Sequence, residues 1–236
     1  MAGTPREVRR FAPRRTEKRS GAAAVDGMAE RQQPRGTGKD PARGRKKARG
    51  KEVEKAKTEE LLIESLKRLA LKKSFEKITI RDITDEAGLI RSTFYNHFSD
   101  KYALLEAIFY RDVVEPSVSL AEDDLFFEAL RLILRNIEKE RNFYKRLIRN
   151  DPNGNMRRIV VGCFQRLIRS IVERVRPEYT ARNEILTPDN IAEYYAVTLI
   201  FVMEKWLGQE REISADEVAD MLLMMSMKPL SEVLRR

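Results

Sequence analysis

Cysteine and histidine are nearly missing from this 236-residue chain, which has one of each, Cys163 and His97. A single cysteine cannot close an internal disulfide, and one cysteine with one histidine cannot assemble a Cys/His zinc site. Long apolar runs are missing as well. No stretch approaches the ~18–20 residues that span a bilayer, and the N-terminus has no apolar core of the signal-peptide kind, so a cytoplasmic protein without membrane association is expected. There is no phosphate-binding Gly-rich loop and no HExxH helix. A Ser/His/Asp triad would have to use His97. Acid pairs such as Asp123-Asp124 suit the start of a helix, where the backbone dipole favours negative charge. Neither an enzyme nor a cofactor is expected.

What is present is charge, unevenly placed. The net charge of +9 suggests nucleic acid. Residues 1–50 carry 15 Lys and Arg against 5 Asp and Glu, which leaves 31 against 32 for residues 51–236. The high pI therefore describes the N-terminal segment. That segment is rich in Arg, Gly, Pro and Ala and has no periodic apolar face to offset its ordering entropy. It reads as a disordered basic tail. An apolar fraction of 42% over the whole chain is enough for a real core.

From Lys51 onward the pattern is helical, with no period-2 strand signal. The first helix is expected from about Val53 to Lys72, with Leu62, Leu66 and Leu69 on one face. Thr79-Ile80-Arg81-Asp82 has the form of a capping box, and the helix it opens should stop at Gly88, where a missing Cβ permits the positive φ of a tight reversal. A short third helix, about Arg91 to Phe98, mixes Arg, Ser, Thr, Tyr, Asn and His. Ser99-Asp100 caps a fourth, Lys101 to Val114, closed by Pro116. Further helices are expected from Asp123 or Asp124 to Glu140, from Phe143 to Arg149, from the Asn153-Gly154 turn to just before Pro177, from Thr187-Pro188 to Gly208, and from Ser214 to Met227.

Three helices with a Gly turn between the second and third have the layout of a helix-turn-helix. Residues 58–105 resemble the N-terminal domain of TetR-family regulators: Phe75 after the first helix, Ile80-Arg81-Asp82-Ile83, Ala87-Gly88 at the turn, then Thr93-Phe94-Tyr95-Asn96-His97-Phe98 and Asp100-Lys101. Two positions depart from the pattern. Ser74 stands where glycine is common, and Ile90 stands where a small polar residue often caps helix 3, a cap worth about 0.5–2 kcal/mol.

The resemblance implies an all-α protein with residues 51–101 as the DNA-binding domain and 102–236 as a helical effector-binding and dimerisation domain. It further implies a homodimer on double-stranded, pseudo-palindromic operator DNA, with a small-molecule effector and repression as the expected sign. A helix entering the major groove presents its N-terminal residues to base edges, which gives Arg91, Ser92 and Thr93 to bases or nearby phosphates. Tyr95, Asn96, His97 and Lys101 would touch the DNA backbone, with Thr79 completing the set. Phe94 and Phe98 should face the core.

In the C-terminal part, Phe126, Phe143, Met156, Phe164, Tyr194, Phe201, Met203 and Trp206 could line an apolar effector pocket, although each alone fits a plain core position. Cys163 should be a buried small hydrophobe. The last two helices are apolar around much of their circumference, so both are expected in the dimer interface. A DNA-binding adaptor whose C-terminal domain binds a protein remains a second reading.

Overall fold

A computed structural model describes residues 41–175 and 185–227, with the side chains of 41–49 and 175 left aside. The expected disordered tail falls mostly on residues 1–40, outside the described residues. The first helix, α1, spans Pro41–Lys72, and so begins about a dozen residues earlier than expected. The expectation followed the apolar face, which starts with the core. Beyond the core, Ala, Arg and Lys sustain the helix by propensity and Pro41 suits its first position.

The described residues from Arg45 onward pack as one unit. After a 3-10 turn at Phe75–Lys77 come α2 (Ile80–Ala87), α3 (Arg91–Tyr95) and α4 (Lys101–Phe109). Pro116 does not close α4. The helix passes into a π turn at Tyr110–Val114, a 3-10 turn at Glu115–Ser117 and α5 (Val118–Glu122), because proline is tolerated in a first turn, where its missing N–H has no partner to lose. Neither Asp123 nor Asp124 caps the next helix. Asp124 takes φ +62° in the reversal, and α6 begins at Phe126 and runs to Lys139. The remaining helices are α7 (Arg141–Arg149), α8 (Asn155–Val175), α9 (Pro188–Gly208) and α10 (Ala215–Met227). No strand occurs among the described residues.

The termini follow their polar residues. Asp151 accepts the amides of Asn155 (2.7 Å) and Arg157 (3.1 Å) ahead of α8. The Thr187 side chain accepts from Asn190, and Ser214 and Glu217 bond reciprocally at the start of α10. α9 lies along α8, and α10 packs on α6, where Arg135 holds Asp216 through two 2.9 Å hydrogen bonds. Each of the last two helices thus has a partner within its own chain. Each also keeps an apolar face in solvent: Tyr194 and Phe201 on α9 are 67% and 54% exposed, Met221 and Met225 on α10 44% and 64%.

The core runs continuously from α1 through α4 to α8 and α9, with Leu62, Leu66, Phe94, Phe109, Phe164 and Ile200 fully buried. Lys67 of α1 joins Asp112 of the π turn (2.7 Å) and Glu140 before α7 (3.1 Å). Burial works against this ammonium, but the two carboxylates outweigh it and raise its pKa.

Candidate nucleic-acid interface

α2 is fixed at both ends by the residues the sequence singles out. The Thr79 hydroxyl accepts the Asp82 amide (3.1 Å), while Asp82 accepts the Thr79 amide (2.7 Å). Lys73 lies 2.7 Å from the same carboxylate. That contact first, and the Thr79 bonds after it, hold the Asp82 carboxyl down to about 2. At the other end Gly88 adopts φ +66°, a conformation that costs an L-residue strain. The turn delivers the chain to α3 within three residues.

α3 has one anchored side. Phe94 is fully buried and packs against Phe98 at 6.0 Å, as expected. Over the remaining arc, Arg91, Ser92, Tyr95 and Asn96 are exposed and Thr93 is half-buried. At 100° per residue the four exposed residues share about 140° of the helix surface. Ile90 at the N-cap offers no side-chain hydrogen bond and is 70% exposed. The regular helix ends at Tyr95, earlier than Phe98, and the chain leaves it through tighter bonds such as His97 N–H to the Phe94 carbonyl (3.0 Å).

Arg91 and Tyr95 form one unit. The guanidinium donates to the phenol oxygen (3.0 Å) and lies 5.5 Å from the ring centre. Sequence reading gave these two residues separate tasks, yet at i and i+4 they are held together, so a change at either disturbs both.

Two of the expected contacts are turned inward. The His97 ring is 10% exposed and its Nδ1 lies 3.1 Å from Glu59 of α1. Lys101 donates to the carbonyls of Phe75 (2.9 Å), Glu76 (2.9 Å) and Ile78 (3.0 Å), which uses all three of its N–H groups. Its ammonium also lies 4.8 Å from the Phe75 ring centre, and burial lowers its pKa. In this arrangement Lys101 closes the 3-10 turn that leads into α2. A phosphate contact would compete with those three bonds. Sequence reading could not see this, because the carbonyls belong to residues 23 to 26 positions away. It also passed over Arg81, whose side chain is 86% exposed beside Asp85. A signal was available: a cation in the first turn of a helix opposes the dipole.

The candidate effector residues separate into two groups. Phe143, Met156, Phe164, Met203 and Trp206 are core, whereas Phe126, Tyr194 and Phe201 are exposed. Cys163 is fully buried, and burial pushes its thiol up to about 11. No helix among the described residues is long and apolar enough to cross a membrane.

Comparison with known proteins agrees with this geometry. Residues 62–108 match the family model described as bacterial regulatory proteins, tetR family, and residues 124–228 match a transcriptional regulator C-terminal region. A curated relative, the HTH-type dhaKLM operon transcriptional activator DhaS of Lactococcus lactis, is 28% identical over 96 residues, 41% of this chain. The chain spans about half (51%) of that relative's length. Among solved structures, a putative TetR-family regulator from Syntrophomonas wolfei is similar at TM-score 0.56 and 16% identity, over 74% of this chain and 97% of that one. FadR of Thermus thermophilus, a TetR-family repressor in complex with lauroyl-CoA, is similar at TM-score 0.53 and 15% identity, over 72% and 95%. With the capped α2, the glycine reversal and a third helix anchored by Phe94, the chain belongs to the TetR family of DNA-binding transcriptional regulators.

Proposed function

We propose that two copies of this chain read a pseudo-palindromic operator, each placing α3 in a major groove, and that a small molecule bound by the C-terminal helices changes their affinity for it. The observation that carries this reading is the exposed arc Arg91, Ser92, Tyr95, Asn96 opposite the buried Phe94. Arg91, Ser92 and Thr93 take base edges or nearby phosphates. Tyr95 and Asn96 take phosphates, with Thr79 and the exposed Arg81 beside them. His97 and Lys101 contribute by holding the surface in place.

A two-fold operator needs a two-fold protein. The apolar faces that α9 and α10 leave in solvent support a self-complementary helical interface. Such a regulator works in the cytoplasm. Any effector acts through the difference in its affinity for the DNA-competent and incompetent forms. The lauroyl-CoA complex belongs to Thermus FadR, and supports here only the idea that this fold accommodates an effector. Repression is the sign we favour. The exposed run Leu125, Phe126, Phe127 favours the second reading, an adaptor whose C-terminal domain binds a protein.

Selecting bound fragments from the source genome, for the wild type and Arg91→Ala, tests the reading. Arg91→Ala should change the preferred base at one position of each half-site, at a cost of about 1–3 kcal/mol. An unchanged preference, or a selected site without two-fold symmetry, would overturn it.

A further inference from the structure

Outside the DNA-reading surface, a group of cations surrounds an open cleft between α1 and α7. Leu71 from the last turn of α1 and Asn142, Lys145, Arg146 and Arg149 from α7 line an open surface cleft of about 330 Å³, the lower end of the range for small-molecule sites. On α7 the four polar residues follow the spacing i, i+3, i+4, i+7, which puts them on one face. No carboxylate lines the cleft.

The cations there are largely uncompensated. None of Lys145, Arg146 and Arg149 is in an ion pair among the described residues. Arg146 donates through Nε to the Ala70 carbonyl at the end of α1 (3.0 Å), which leaves the rest of its guanidinium available. Lys145 reaches the Gln209 carbonyl only at 3.4 Å. Most other arginines of the C-terminal region are paired: Arg131, Arg135, Arg157, Arg166 and Arg169 each have an acidic partner.

We propose that this cleft binds a small phosphate-bearing anion, such as a phosphate monoester or a diphosphate. Two guanidinium forks and an ammonium match the several oxygens and the multiple charge of such a group, and the Asn142 amide adds a neutral donor. Leu71 gives the ligand's organic part an apolar wall. This site uses none of the residues assigned to DNA, so it stands or falls separately from the operator reading.

The test titrates the full-length chain with inorganic pyrophosphate by calorimetry at constant ionic strength, with citrate as a carboxylate control. Arg149→Gln removes a cation, and Asn142→Asp places a negative charge in the cleft at nearly unchanged volume. Both positions are exposed, so both variants should keep the wild-type melting temperature. The basic N-terminal segment is identical in all three proteins, so its binding cancels in the comparison. The expected result is one saturable site per chain that prefers pyrophosphate over citrate and weakens at least tenfold in each variant. Equal titrations in wild type and variants, or equal binding of citrate, would overturn the proposal. So would a wild type that shows no saturable site while Arg149→Gln weakens binding to random duplex, which would make the cleft a DNA-contacting surface.

Discussion

The N-terminal reading unit and the C-terminal pair α8 and α9 reach order by opposite means. α2 and α3 are eight and five residues long, far below the length at which a helix persists alone. Each depends on a few atoms: a capping box, a left-handed glycine, one buried phenyl ring. α8 and α9 have 21 residues each and are held by burial shared among many residues, where no single residue decides the outcome. A unit built from few determinants shows them as a motif. A unit built from many shows only its periodicity.

The sharpest way to break that contrast is to remove the anchor of α3. Phe94→Ala should cost about 3–5 kcal/mol, and hydrogen exchange should show the loss confined to the amides of α2 and α3 while α8 and α9 keep their protection. An equal loss in α8 and α9 would mean that the two regions open as one.

A smaller effect is expected at the ion cluster that ties α1 to the π turn and to the start of α7. Lys67→Ala would leave Asp112 and Glu140 without the cation they share, costing about 3 kcal/mol. Urea denaturation measures it, and a change below about 1 kcal/mol would show that this cluster contributes little to holding α1 on the C-terminal helices.

The smallest effect concerns the cap of α2. The folded pKa of Asp82, about 2, lies below the 3.8 of an unperturbed aspartate. Its contribution is therefore full above the unfolded value and is lost as pH falls from there through about 2. Thermal melts over this window should show the wild type losing roughly two degrees more than Asp82→Asn. The figure is small because the Asp82 side chain keeps about a third of its surface in water (34%) and its ion pair with Lys73 is screened. Parallel curves for the two proteins would show that the cap carries no measurable stability.

Within the reading unit the sequence was a sufficient guide to Thr79, Gly88 and Phe94, because each acts on backbone a few residues away. It gave no sign of the inward partners of Lys101 and His97, which lie 23 or more residues away in sequence. In the C-terminal part, helix starts marked by Thr187 and Ser214 were readable for the same local reason. Whether an apolar residue there faced core or solvent was not: Phe164 and Phe201 look alike in sequence, yet one is fully buried and the other 54% exposed. That difference is set by which helix lies alongside, and a single chain's periodicity does not encode its neighbour.

The π turn at Tyr110–Val114 has a consequence for how this helix can change in length. A π turn closes i→i+5 hydrogen bonds where an α turn closes i→i+4, so it carries one residue more over nearly the same rise. Deleting one residue inside it would restore ordinary α geometry without rotating Leu105 and Phe109 on one side against Ser117 and Ala121 on the other. All four are buried, so the core would keep its facing side chains. A single-residue deletion in this helix should therefore be tolerated at this turn, whereas elsewhere along it the same deletion would turn the following side chains by about 100° away from the core.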